Sequence, residues 1–218
     1  MSQLFTLVGT ATAQTLSMVF FSTLFSLLLG LPLGILLCIT DVQTGITPRP
    51  VLNQVLTRIV NALRSFPFII LMILLFPLSR IIVGTSIGTT ATIVPLSIAA
   101  APFVARIIET ALKEVDPGVV QAARTMGSTN TQIILKVLLP EAMPSLAAGI
   151  TLTIINLIGY SAMAGAIGGG GLGDLAIRYG YQRFRTDVMI ASVVVILLLV
   201  EAVQIIGTRW SARLLAKR

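Results

Sequence analysis

Two stretches of this 218-residue chain have the residue spacing of known chemistry, and each lacks a feature that the chemistry requires. Gly84-Thr85-Ser86-Ile87-Gly88 fits the G-x-S-x-G elbow of hydrolases, but its serine would need a histidine base and the chain contains no histidine. A tight turn accounts for those residues. Gly168, Gly170 and Gly173 satisfy G-x-G-x-x-G by count, yet they follow an apolar run where a dinucleotide site needs a strand of a βαβ unit. No G-x-x-x-x-G-K-[ST] occurs, so the chain has no P-loop in which to cradle ATP phosphates. Without histidine there is also no Ser-His-Asp triad and no His-bearing zinc site, and the single cysteine, Cys38, leaves no internal disulfide. The expectation is a chain that is not an enzyme, with no catalytic residue, no metal and no cofactor of its own. What remains are side chains that dock, pair or line a path.

Such side chains need elements to hold them, and composition says which. Hydrophobic residues make up 56% of the chain and charged residues 11%, with a mean hydropathy of +0.98. A soluble domain carries roughly 25% charged residues. The apolar runs are long and continuous, without the ten-residue alternation of a membrane β-barrel. The expected class is therefore an all-α integral membrane protein. A net charge of +7 would point to nucleic acid in a soluble domain. Here the basic residues flank apolar runs and read as orientation signals toward membrane lipid, with no nucleic-acid partner. The first forty residues carry no charge and so lack the basic start of a secretory signal peptide.

A spanning helix needs about 20 apolar residues. That length predicts five spans, at about 15–39, 57–79, 87–110, 142–166 and 187–208, forming one transmembrane domain over 1–218. The second would begin among Arg58, Asn61 and Arg64, whose stems could snorkel to the headgroups. The polar first dozen residues (Ser2, Gln3, Thr6, Thr10, Thr12, then Gln14) are expected to lie along the outer interface. With the N-terminus outside and the C-terminus cytoplasmic, the inner pieces carry eleven basic residues: Arg49, Arg58, Arg64, Arg106, Lys113, Arg124, Lys136, Arg209, Arg213, Lys217 and Arg218. The outer pieces carry four: Arg80, Arg178, Arg183 and Arg185. The positive-inside rule selects that orientation and puts the loop of 111–141 in the cytoplasm.

That loop is well punctuated. Asp116 can cap a helix with Pro117 at its first position, running to about Met126, and Gly127 suits the left-handed residue that ends it. Ser128 is expected to cap a second helix that stops near Pro140. In the fourth span Asn156, Tyr160 and Met163 recur at i, i+4 and i+7 beside Ser161. That stripe is expected to face protein or a water-filled path, with small neighbours such as Gly159 allowing a second copy to approach. The glycines of 168–173 should end the span and turn the chain back. Glu201, an acid inside the last span, is expected to pair with an inner-rim base such as Arg64 or to draw in water; its rival role is a proton or cation site.

Residues 121–140 narrow the choice. Ala122 and Ala123, Gly127, Val137 and Leu139-Pro140 stand at the spacing of the coupling loop of ATP-binding-cassette importer permeases, which this segment resembles. Gln121 departs from the glutamate usual there and drops its charge. Further segments resemble the permeases of methionine importers across essentially the whole chain: Arg64-Ser65-Phe66-Pro67-Phe68-Ile69-Ile70-Leu71, Val83 to Gly88, Ala101-Pro102-Phe103, Gly159-Tyr160-Ser161-Ala162-Met163 and Gly169 to Gly173.

The resemblance implies a homodimer in a bacterial inner membrane, seated on two copies of a cytoplasmic ATPase that uses ATP and Mg. It further implies an external substrate-binding protein delivering methionine, in its L or D form, or a related amino acid. Asp116, Gln121, Ala122, Ala123, Arg124, Gly127 and Pro140 would then couple to the ATPase, while Asn156, Tyr160, Ser161 and Met163 would line the path or its gate. Two other readings are an ion-gradient transporter using Glu201 and a membrane anchor that moves nothing.

Overall fold

The computed structural model describes residues 2–216, and among them every regular element is helical. In order the α-helices are α1 (Ser2–Thr40), α2 (Pro50–Ser65), α3 (Phe68–Val83), α4 (Thr89–Lys113), α5 (Pro117–Thr125), α6 (Asn130–Ile133), α7 (Leu139–Gly165), α8 (Gly171–Leu175) and α9 (Thr186–Leu215), with π turns at Ile134–Leu138 and Ala176–Tyr181. Four stretches are long and apolar enough to cross a membrane: Leu4–Thr40, Thr89–Lys113, Asn130–Gly165 and Thr186–Leu215. A fifth is obtained only if α2 and α3 are counted together. Lys217 and Arg218, counted above among the inner charges, lie outside the described residues.

The expected span of 57–79 is broken. α2 and α3 meet at 105° around Phe66-Pro67. Proline lacks the N–H that would continue the ladder and pushes the residue before it out of the helical region, so Pro67 becomes the N-cap of α3. The polar residues expected to start a span instead belong to α2, which is amphipathic. It buries Val60 with half-buried Leu56 and exposes Val51, Val55 and Ile59.

The amino-terminal residues likewise differ from expectation. They form no separate surface segment but continue α1, because their polar groups are satisfied locally: Thr10 Oγ1 donates to the Thr6 carbonyl (2.8 Å) and Thr12 Oγ1 to that of Val8 (2.7 Å). Leu4, Leu7, Val8 and Ala11 recur at helical spacing and pack with Leu172, Leu175 and Val188. At 39 residues α1 is roughly 58 Å long, well beyond a 30 Å hydrocarbon core.

The chain sorts into two compact units, each drawing on several of the long helices. The first comprises Met1–Ser26, Phe66–Ala100 and Leu152–Ile205. Its core is built on Met18, Val19, Leu96, Ala100, Leu157 and Ile158. In it the 168–171 turn, whose Gly168, Gly170 and Gly171 have positive φ, is held by α1. Gln14 Oε1 accepts from Gly171 N–H (2.9 Å) and Thr15 Oγ1 from Leu172 N–H (2.9 Å).

The second unit comprises Leu27–Ser65, Ala101–Thr151 and Ile206–Arg218. Its core joins Cys38 to Val104, Ile108, Leu112, Ile133, Leu138 and Leu146. Here α1 lies against α4 through Gly30 and Gly34. A Cβ added to Gly34 would stand 2.6 Å from the Ala105 carbonyl and 2.7 Å from Ile108. Two glycines four apart let helix backbones approach closely where no water drives them together. Gly34→Val should therefore destabilise the chain by about 1–3 kcal/mol, the range of overpacking. A thermal melt in detergent checks this, and an unchanged midpoint would show that the α1–α4 contact yields freely.

Candidate functional site

The second unit carries the polar segment singled out by sequence. Asp116 caps α5, its Oδ1 accepting from Gly118 N–H at 2.8 Å, with Pro117 following as expected. Gly127 ends the helix at φ +79°, a conformation that costs glycine little. The next cap is Thr129, where Ser128 was expected. Thr129 Oγ1 accepts from Gln132 N–H (3.3 Å) while Gln132 Oε1 accepts from Thr129 N–H (2.9 Å). The reciprocal pair requires Gln three residues after the cap, which selects Thr129.

Nor does the helix stop near Pro140. It passes through a π turn, Ile134–Leu138, into α7, and Leu139 N–H bonds the Ile134 carbonyl five residues back. The widened turn re-routes the ladder just before Pro140, whose missing N–H and bulky ring would otherwise end the helix. One helix thus runs from Asn130 to Gly165.

The surface of α5 is unusually bare. It fully buries no side chain. Ala123 and Val120 half-pack on the core, while Gln121, Ala122, Arg124 and Gly127 are exposed. Val119, Ala122 and Met126 form an exposed apolar row at i, i+3 and i+7, with Met126 85% accessible. Sequence reasoning chose the alanines and missed Met126, although the 119/122/126 periodicity was available to find it. Arg124 does not reach outward. Its Nη2 donates to the Ile46 carbonyl at 2.8 Å, tying α5 to the turn after α1. Between that turn and α5 opens a cavity of about 230 Å³, with Ile46, Lys113, Gln121 and Arg124 in its lining.

A charged cluster stands behind this cavity, and the sequence reading passed it over in favour of Glu201. Glu109 is only 3% exposed. Its Oε2 accepts from Arg106 Nη1 (2.7 Å) and its Oε1 from Lys113 Nζ (2.9 Å). Lys113 also meets Asp41 Oδ2 at 2.7 Å, and Arg106 Nη2 donates to Asn61 Oδ1 at 2.8 Å. The spacing of Arg106, Glu109 and Lys113, three and then four residues apart on one helix face, was the missed signal. Burial works against the Asp41 carboxylate, but the Lys113 ammonium, the Thr44 and Gln43 amides and the Thr44 hydroxyl together hold it well below the usual carboxylate range.

In the first unit the predicted stripe divides. Asn156 and Met163 are exposed with Leu152 and Gly159 on one open face of α7. Tyr160 is half-buried, its ring stacked on Phe68 with centroids 4.4 Å apart. Ser161 is buried and donates to the Ile158 carbonyl at 2.7 Å. Glu201 is exposed on α9 and makes no ion pair among the described residues. Among the described residues no cluster of His, Cys, Asp or Glu could hold a metal ion.

The described residues thus combine helices long and apolar enough to cross a membrane with an exposed helical elbow at α5 and Gly127. Residues 30–218 match the family described as binding-protein-dependent transport system inner membrane component, and the chain belongs to that family. It is 52% identical over 198 residues to the Vibrio cholerae protein named "Probable D-methionine transport system permease protein MetI", covering 91% of this chain and 88% of that one.

It is also 52% identical over 155 residues to "Methionine import system permease protein MetP" of Bacillus subtilis, with 71% of this chain and 70% of that one aligned. A solved structure titled "Inward facing conformations of the MetNI methionine ABC transporter" superposes with a TM-score of 0.95 at 44% identity, over 98% of this chain and 99% of that one. The fold is thus that of an ABC importer permease, and the ion-gradient reading of Glu201 finds no support.

The Asp41 contacts predict a pH dependence. A depressed carboxylate stabilises the fold fully above its unfolded pKa of about 3.9 and loses that contribution only as pH falls through its lower folded value. Asp41→Asn should cost about 1 kcal/mol for this part-exposed pair, equally at pH 8 and pH 5. Melts of both chains at the two pH values test it, and a difference that vanishes by pH 5 would contradict the assignment.

Proposed function

We propose that this chain is the membrane-spanning subunit of an ATP-driven methionine importer, that two copies enclose the path, and that a separate cytoplasmic ATPase, also in two copies, grips α5. The chain holds no cofactor and catalyses nothing; ATP and Mg belong to the ATPase. An external binding protein delivers the substrate. The N-terminus lies outside the inner membrane and the C-terminus in the cytoplasm, an orientation that the eleven-to-four basic bias supports.

The observation that carries this reading is the exposed row of Val119, Ala122 and Met126 on a helix capped at both ends. An apolar row held rigid on a short polar helix is a knob for a partner's groove. The family membership, and the names of the relatives, supply the kind of partner and the substrate.

The mechanism follows from continuity of the backbone. Closure of the ATPase pair pushes on α5 through Ala122 and Met126. Through the Gly127 turn the push reaches a single helix, Asn130 to Gly165, that also bears Asn156 and Met163. Rigid-body rocking of that helix in two facing copies exchanges inward for outward opening.

Two substitutions test the reading. Met126→Asp should cut ATPase co-purification and uptake by about tenfold or more, as expected when the centre of an interface is lost. Undiminished co-purification would remove α5 from the docking role. Met163→Trp should abolish uptake while the ATPase stays bound, and surviving uptake would show that this face of α7 serves packing alone.

A further inference from the structure

The α5 knob has little hydrophobic anchoring, so something else must set its pose. Within the second unit a continuous polar chain leads to it. Asn61 on α2 accepts from Arg106 (2.8 Å), Arg106 meets Glu109 (2.7 Å), Glu109 meets Lys113 (2.9 Å) and Lys113 meets Asp41 (2.7 Å). Asp41 then folds the turn after α1 on its other oxygen. Oδ1 accepts from Gln43 N–H and Thr44 N–H at 3.0 Å each and from Thr44 Oγ1 at 3.1 Å. That turn presents the Ile46 carbonyl to Arg124 of α5 at 2.8 Å.

We propose that this relay is the positioning device for the docking helix and that Glu109 is its pivot. The inference rests on the reading of α5 as the ATPase-docking element and adds residues outside the exposed row of Val119, Ala122 and Met126. Glu109 is suited to the part because each of its carboxylate oxygens serves a different cation, and it is too buried for water to substitute.

Losing the charge leaves one cation short of a partner. Gln can accept on its single oxygen but presents an NH₂ where the second cation stands. Lys113 or Arg106 then turns away, Asp41 loses its counter-charge, and the 41–46 turn no longer holds Arg124 in register. α5 remains attached through Gly127 and the half-buried Ala123, so the knob still docks. It delivers the stroke through a slack joint.

The relay therefore governs the ratio of substrate moved to ATP hydrolysed, in distinction to docking itself. Its test uses the full complex in vesicles, measuring methionine uptake and phosphate release together. Glu109→Gln should lower methionine moved per ATP by about three- to tenfold, with the ATPase still co-purifying and with Glu109→Asp, which keeps the charge, restoring most of the ratio. Asp41→Asn, at the part-exposed end of the relay, should shift the ratio the same way. Unchanged ratios in both Glu109→Gln and Asp41→Asn would overturn the proposal. So would loss of the ATPase from a folded Glu109→Gln chain, since that makes Glu109 a docking determinant. Failure of the unaltered chain to hold the ATPase would instead refute the docking reading, which keeps the two claims distinguishable.

Discussion

A carboxylate taken out of water has to be met by charge, and Glu109 is met twice, by bases three residues before it and four residues after it on the same helix. Removing one partner from a buried pair typically costs about 3–5 kcal/mol, because the remaining charge is stranded. Satisfying this single acid therefore enlists more than α4. Arg106 has a second nitrogen for Asn61, and Lys113 has a further proton for Asp41, so the α2 helix and the turn after α1 are fastened by the same charges. The turn in turn holds Arg124. A helix that buries none of its own side chains fully acquires a fixed position through its neighbour's electrostatics.

The irregularities of the backbone follow from the same demand that polar groups find partners. A π turn ahead of Pro140 lets one helix continue from a capping box at Thr129 to Gly165, where a regular α-helix would have been broken. A proline at 67 produces the opposite result because the residues before it, on amphipathic α2, have a polar face that does not belong in a span. Glycine is used for two purposes. Gly127 supplies a left-handed turn, while Gly30 and Gly34 supply closeness to α4.

Much of the fold and part of the site were legible in the sequence, for reasons that particular residues make clear. Long apolar runs need only length to be recognised, and Asp116-Pro117 and Gly127 have local preferences strong enough to declare both ends of α5. The expected cap, Ser128, is one residue from the observed Thr129 because both are good cappers in isolation, and only the reciprocal bond from Gln132 decides. Pro140 was read as a stop because proline's cost is local, whereas the π turn that accommodates it is a property of the preceding five residues. The stripe of Asn156, Tyr160 and Met163 was found by periodicity, but periodicity could not foresee that Phe68 would stack on Tyr160 and leave Asn156 and Met163 on the open face. Glu201 drew attention as an acid amid aliphatics. Glu109 lies at the end of the expected 87–110 span, and the bases three before and four after it are what allow its burial.

The central claim is that the elbow around Ala122, Met126 and Gly127 faces the cytoplasm and is covered there by an ATP-hydrolysing partner. The most direct measurement exploits the chain's single, buried cysteine, Cys38. A chain carrying Cys38→Ser and Met126→Cys is exposed to a membrane-impermeant maleimide in intact cells and in inverted membrane vesicles. The account predicts labelling only in inverted vesicles stripped of the ATPase, and protection when the ATPase is bound. Labelling in intact cells, or labelling in vesicles that the bound ATPase fails to prevent, would contradict it.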